Sequence, residues 1–112
     1  MTLAEKQRAF AKLVGELIAF AYEAGYELSF GEAMRSKEEA ERLAKAGLGI
    51  RNSLHCLRLA IDLNLFKDGK YLTRSEDYAE LGAWWEKRGG AWGGNFTKSD
   101  GNHFSLEHGG RK

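Results

Sequence analysis

The chain of 112 residues has no proline and a single cysteine. One cysteine excludes an intrachain disulfide, and nothing signals an oxidising compartment. An excess of one charge is also missing. The 17 Lys and Arg against 16 Asp and Glu leave a net charge of +1, without the basic footprint of a nucleic-acid binder. No apolar run is long enough to span a membrane, and the opening "MTLAEKQRAF" is charged and helical in pattern rather than the core of a signal peptide. The expectations are a monomer, cytoplasmic as synthesised, with no nucleic-acid partner and no membrane segment.

Glycine is plentiful, and eight of the 14 fall between Gly82 and Gly110. The C-terminal third is therefore loop-rich, where sites tend to be built. Thr2 with Glu5 forms a capping box, followed by Phe10, Leu13, Val14, Leu17, Ile18 and Ala21 at helical spacing, with Gly25 as a stop. "YELSF" (26–30) alternates as a short strand, and Ser36 with Glu39 caps a second helix that ends at Gly47. "LRLAIDLNLF" (57–66) alternates with Leu59, Ile61, Leu63 and Leu65 on one face, and Asp68-Gly69 predicts a hairpin back through Tyr71 and Leu72. Ser75 is expected to cap a third helix ended by Gly89-Gly90, and "HFSLEH" (103–108) reads as a last strand. The hairpin argues for an α+β fold over 1–112: a single domain in which a small antiparallel sheet carries about three helices.

Residues that could carry chemistry are few. Histidine occurs at 55, 103 and 108. His55 and Asp62 would stand about 23 Å apart on an extended strand, too far to share an ion. A shared site needs a turn between them. From spacing alone the plainer reading is favoured: a half-exposed histidine and a hydrogen-bonded aspartate. "SDGNHF" (99–104) sets Asp100 three residues before His103 at the end of a Gly-rich loop. That pair could supply a metal ligand and a base, although Asp-Gly-Asn is also ordinary turn chemistry. Taken together, two histidines and a carboxylate form a three-ligand set with a fourth position open and a spare carboxylate nearby. Structural zinc sites favour four ligands rich in cysteine instead.

"SLHCLRLAID" (53–62) resembles the Ser-x-His-x-x-Gly-x-Ala-x-Asp signature of the zinc D-Ala-D-Ala carboxypeptidases and dipeptidases, which the phage L-alanyl-D-glutamate endopeptidases share. Ser53, His55, Ala60 and Asp62 fall in register, and Arg58 stands where the wider family often has glycine. "DGNHF" is similar to the second motif, with aspartate where many carboxypeptidase relatives have glutamate. "EAMRSKEEAERL" (32–43) resembles the segment in which an arginine precedes a capped helix. The aspartate and "WWEKRGGAWGGNF" (84–96) look like the phage endolysin branch. The resemblance implies a zinc peptidase acting on the peptide stem of bacterial peptidoglycan, between L-Ala and D-Glu, as a phage or prophage lysin. D-Ala-D-Ala carboxypeptidase activity, or a non-catalytic peptidoglycan-binding role, are the alternatives. It implies Zn2+ held by His55, Asp62 and His103, with Asp100 as general base and then acid. Arg35 would stabilise the oxyanion, and Ser53 would orient substrate or a ligand. Release to the wall would need a membrane pore made by another protein.

Cys56 reads as a small buried hydrophobe. His108 would point away from His103 on an alternating strand, while Glu107 would share the face of His103. One or both of Trp84 and Trp85 read as core, since adjacent residues on a helix cannot both face fully inward. Trp92, in the glycine loop, is the candidate for lining a cleft, with anchoring of the loop as the other reading.

Overall fold

The structure, a computed structural model, describes residues 1–112. Local signals fix the first two helices where the spacing predicts them. Helix α1 spans Leu3–Glu23 behind a complete Thr2–Glu5 capping box, and α2 spans Lys37–Lys45 with the Ser36 hydroxyl accepting the Glu39 N–H. Gly25, at φ 92°, lets the chain leave α1 in a conformation that a side chain would oppose. No helix is long and apolar enough to cross a membrane.

Five strands form one antiparallel sheet: β1 (Glu27–Phe30), β2 (Ala60–Lys67), β3 (Lys70–Leu72), β4 (Ala91–Trp92) and β5 (His103–Ser105). Their order is β1-β2-β5-β4, with β3 also on β2. With α3 (Ala79–Lys87) the chain has the expected α+β architecture. The central strand β2 is long enough to serve two partners along one edge. Its first part, Ala60 to Asp62, pairs with β5, and its last part, Leu65 to Lys67, pairs with β3. Asp68 (φ 52°) and Gly69 (φ 76°) make the tight turn into β3, both with the positive φ of a type I′ hairpin.

Alternation along β2 sorts its side chains. Leu59, Leu63 and Leu65 are fully buried and Ile61 nearly so, packed with Phe10, Val14, Leu17 and Ala21 of α1 and with Trp85 and Phe104. Asp62 and Asn64 turn to the other face, where the site lies.

Two expectations are corrected. Ser75 does not cap α3. It opens a 3-10 turn (Ser75–Tyr78), and its hydroxyl accepts the N–H of Gly101 at 2.9 Å instead. The last strand stops at Ser105. The Leu106 N–H still donates to the Leu59 carbonyl at 3.0 Å, but beyond it the chain turns away, and His108 pairs with Arg111 across Gly109 and Gly110, both at positive φ.

Candidate metal centre

The segment before β2 is bent, not extended. Ser53 begins a 3-10 turn over Leu54–Leu57, its hydroxyl accepting the His55 N–H at 3.1 Å. Arg58 then takes a left-handed conformation (φ 57°, ψ 35°) and turns the chain into β2. This is the position at which the resemblance expects glycine, the residue that adopts αL without steric cost. The bend carries the buried His55 ring back over β2, with Nε2 3.4 Å from Asp62 Oδ1.

The third member arrives by strand register. Asp62 and His103 are direct partners across β2 and β5, so their side chains share a face. His103 Nδ1 lies 3.6 Å from Asp62 Oδ1. One donor atom from each of His55, Asp62 and His103 can be chosen so that all lie within 4.8 Å of one another. Asp62 Oδ1 is buried and takes no hydrogen bond in this arrangement. Charge-assisted hydrogen bonds would be shorter, at about 2.7–2.9 Å. Two atoms bound to one zinc at about 2.0–2.2 Å in tetrahedral geometry stand roughly 3.3–3.6 Å apart. The observed spacings match the second case. The donor set, two imidazoles and one carboxylate, fits zinc and leaves a position open. The other ring nitrogen of His55, Nδ1, lies 3.3 Å from the Ala33 carbonyl, the kind of outer contact that fixes a ligand's ring.

Electrostatics follow from this packing. Burial alone would raise the Asp62 carboxyl, but the imidazoles of His103 and His55 outweigh it and hold the group down at about 2. Burial opposes the charge on His55, yet the Asp62 carboxylate overcomes this and raises it. Asp100 is pushed up, first by partial burial of its carboxyl and then by the Asp62 carboxylate, towards the range useful to a proton carrier.

Asp100 sits at the lip of a cleft of about 440 Å³ that also includes Arg35, Ser53, His55, Asp62 and His103 in its lining. The turn bearing Asp100 and His103 is fastened from beneath. The His103 N–H donates to the Asp100 carbonyl at 3.1 Å and the Asp100 N–H to the Gly93 carbonyl at 2.9 Å. A side chain at Gly93 would collide with the Asp100 carbonyl oxygen, so glycine is required by close backbone approach. Trp92 is buried, and its indole N–H donates to the Gly101 carbonyl at 2.7 Å. It lies under the turn and not among the residues of this cleft. Arg35 is joined to the bend by its backbone N–H, which donates to the His55 carbonyl at 3.1 Å.

The cleft thus brings together six of the seven residues singled out from the sequence, Trp92 being the exception. The family model for D-alanyl-D-alanine carboxypeptidases matches residues 47–106, over half of the chain. The chain belongs to that peptidase family. No curated protein matches its sequence significantly. Among solved structures the peptidase is similar to the Serratia marcescens L-Ala D-Glu endopeptidase ChiX, at 23% identity and a TM-score of 0.71, over 93% of this chain and 85% of that one. That likeness concerns the fold.

The remaining candidates fall outside the cleft. His108 Nδ1 lies 3.5 Å from Lys6 Nζ, and Glu107 borders a separate hollow with Glu86 and Trp92. Trp85 is core, its indole donating to the Ser105 carbonyl at 2.9 Å, while Trp84 stacks on Phe20. Cys56 is half-buried. Several residues of the peptidase's site were not singled out from sequence: Glu32, paired with Arg35; Phe96, beside the His103 ring; and Lys98 and Lys112 on the cleft wall. Only Glu32 left a local signal, an acid three residues before an arginine.

Proposed function

We propose that the chain is a zinc metallopeptidase that hydrolyses the peptide stem of bacterial peptidoglycan at the L-Ala–D-Glu bond, as a phage or prophage lysin. The observation that carries the reading is the convergence of His55 Nε2, His103 Nδ1 and Asp62 Oδ1 at ligand-to-ligand spacings of 3.4 and 3.6 Å, with that carboxylate oxygen otherwise unpartnered. A zinc ion held by these three residues would supply Lewis acidity, polarising the scissile carbonyl and acidifying water at neutral pH.

The chain's own groups divide the remaining work. Asp100 takes a proton from the attacking water and returns it to the leaving amine. Its upward shift suits both transfers. Arg35 offers a fixed positive charge to the oxygen that becomes negative. Such a donor is typically worth about 3–4 kcal/mol, by analogy with single oxyanion-hole contacts. Ser53 supports the bend that carries His55, its hydroxyl accepting the His55 N–H, and it also lines the cleft. A binding module that merely held the wall would have no use for Asp100 and Arg35 facing one metal site, which favours the enzyme.

The endopeptidase assignment is supported by the fold neighbour. The lysin role rests on Asp100 and the 84–96 stretch, which look like the phage branch. One observation favours carboxypeptidase activity as a second reading. Lys98 and Lys112 are exposed on the cleft wall and could receive such a carboxylate. Digestion of purified peptidoglycan with mass spectrometry separates the two. New C-terminal L-Ala is expected from the endopeptidase. Release of free D-Ala alone would transfer the assignment to the carboxypeptidase, and intact muropeptides would remove both.

A further inference from the structure

Glu32 lies in the coil between β1 and α2 and touches three members of the site without being a ligand. Its carbonyl oxygen accepts the Asp62 N–H at 2.8 Å. Its carboxylate Oε1 accepts from Arg35 Nε at 2.7 Å and also from Arg35 Nη2. The same oxygen lies 3.9 Å from His55 Nδ1.

An exposed Glu–Arg pair would mean little. Here the arginine side chain is only 13% exposed, and both contacts come from one edge of the planar guanidinium. A guanidinium is rigid, so fixing one edge fixes the direction of the rest. What remains is the far end, the two N–H groups of Nη1 with the second N–H of Nη2, and Nη1 lies towards Gly49 on the cleft wall.

We infer that Glu32 is a positioning residue: it holds Arg35 side-on, so that the guanidinium meets the reacting carbonyl oxygen through its free far end. The inference rests on the peptidase reading. It adds what fixes the direction in which the arginine presents its charge to that oxygen. Small displacements of such a group are costly to rate, because the charge must lie where the oxyanion forms and not where the substrate rests. The His55 ring keeps its hydrogen bond to Ala33 without Glu32, so metal binding should survive.

The test is a double-mutant cycle on a defined stem peptide, using Glu32→Ala, Arg35→Ala and the pair, with Glu32→Gln as the shape-conserving variant. Glu32→Ala should lower kcat about 10- to 100-fold, in the range known for outer-shell partners, with KM and zinc content nearly unchanged. Glu32→Gln, which keeps an acceptor oxygen but no charge, should fall between. In the Arg35→Ala background, Glu32→Ala should cost nothing more. A second readout needs no turnover: the Arg35 Nε–H resonance should be protected from solvent exchange in the wild-type protein and lose that protection in Glu32→Ala, or in Glu32→Gln if the alanine variant does not fold. Wild-type kcat in Glu32→Ala, equal losses in both backgrounds, or an Arg35 resonance indifferent to Glu32 would each overturn the inference. A wild-type protein inert on every stem peptide would instead overturn the peptidase reading, and the resonance alone would then decide whether Glu32 holds Arg35.

Discussion

Asp62 and His103 stand directly opposite each other across β2 and β5, with His103 Nδ1 3.6 Å from Asp62 Oδ1. Strand register therefore builds two-thirds of the proposed metal centre, and the bend at Leu54–Arg58 delivers its third member, His55. Function and fold are coupled at this pair. A one-residue slip of β5 would turn His103 to the core face and dismantle the site.

Asp100 is assigned as the proton carrier and not as a ligand. Asp100→Asn should therefore retain zinc while losing about 10²- to 10⁴-fold in kcat, the usual span for removal of a general acid–base group. Steady-state kinetics with metal content measured on the same sample checks this. Activity near that of the wild type would put the base elsewhere.

Trp92 supports the Asp100–His103 turn from below. Trp92→Phe keeps an aromatic ring but leaves the Gly101 carbonyl without its indole donor, at a cost of about 1–3 kcal/mol for a buried acceptor. Thermal unfolding should show the loss, and kcat should fall with little change in KM. A rise in KM with unchanged stability would mean that Trp92 meets substrate.

Arg58 occupies the left-handed region at an exposed position, where an L-residue is disfavoured by roughly 1–2 kcal/mol. Arg58→Gly relieves that strain but gives back part of the gain through the freer unfolded chain. The net expectation is a stabilisation of up to about 1 kcal/mol, with zinc binding kept, measured by chemical denaturation. Destabilisation would show that the Arg58 side chain contributes more than its backbone costs.

The metal-free protein should be most stable in weakly acidic solution. Asp62 is lowered from 3.8 to about 2, so its contribution is present above pH 3.8 and lost as pH falls towards 2. That shift corresponds to about 2 kcal/mol. His55 is raised above its ordinary 6.5, so its contribution is full below pH 6.5 and fades as pH climbs through the folded value. Denaturation of the chelator-treated protein across pH 2–8 should give a maximum between these limits. Zinc should weaken the alkaline decline, because an ion requires neutral imidazoles. A flat profile would remove the three-residue cluster as the source.

Much of the frame was legible because it depends on short-range rules. The caps at Thr2 and Ser36, the alternation of β2 and the Asp68-Gly69 turn are all set by residues within a few positions of one another. The bend between His55 and Asp62 was required by distance, and Arg58 supplies it. Ser75 was misread because a hydroxyl at a helix start can be claimed by a distant N–H, here that of Gly101. Glu32 and Trp92 likewise act on groups that only the folded sheet brings near. Lys98 and Lys112 had no pattern to distinguish them from other surface lysines.

The most direct test of the central claim is elemental analysis of the purified protein, with His55→Ala, Asp62→Ala and His103→Ala measured alongside it. A three-ligand site predicts about one zinc per wild-type chain and much less in each folded variant. A wild-type protein that cleaves the stem peptide while holding no metal, or variants that bind zinc as well as the wild type, would contradict it.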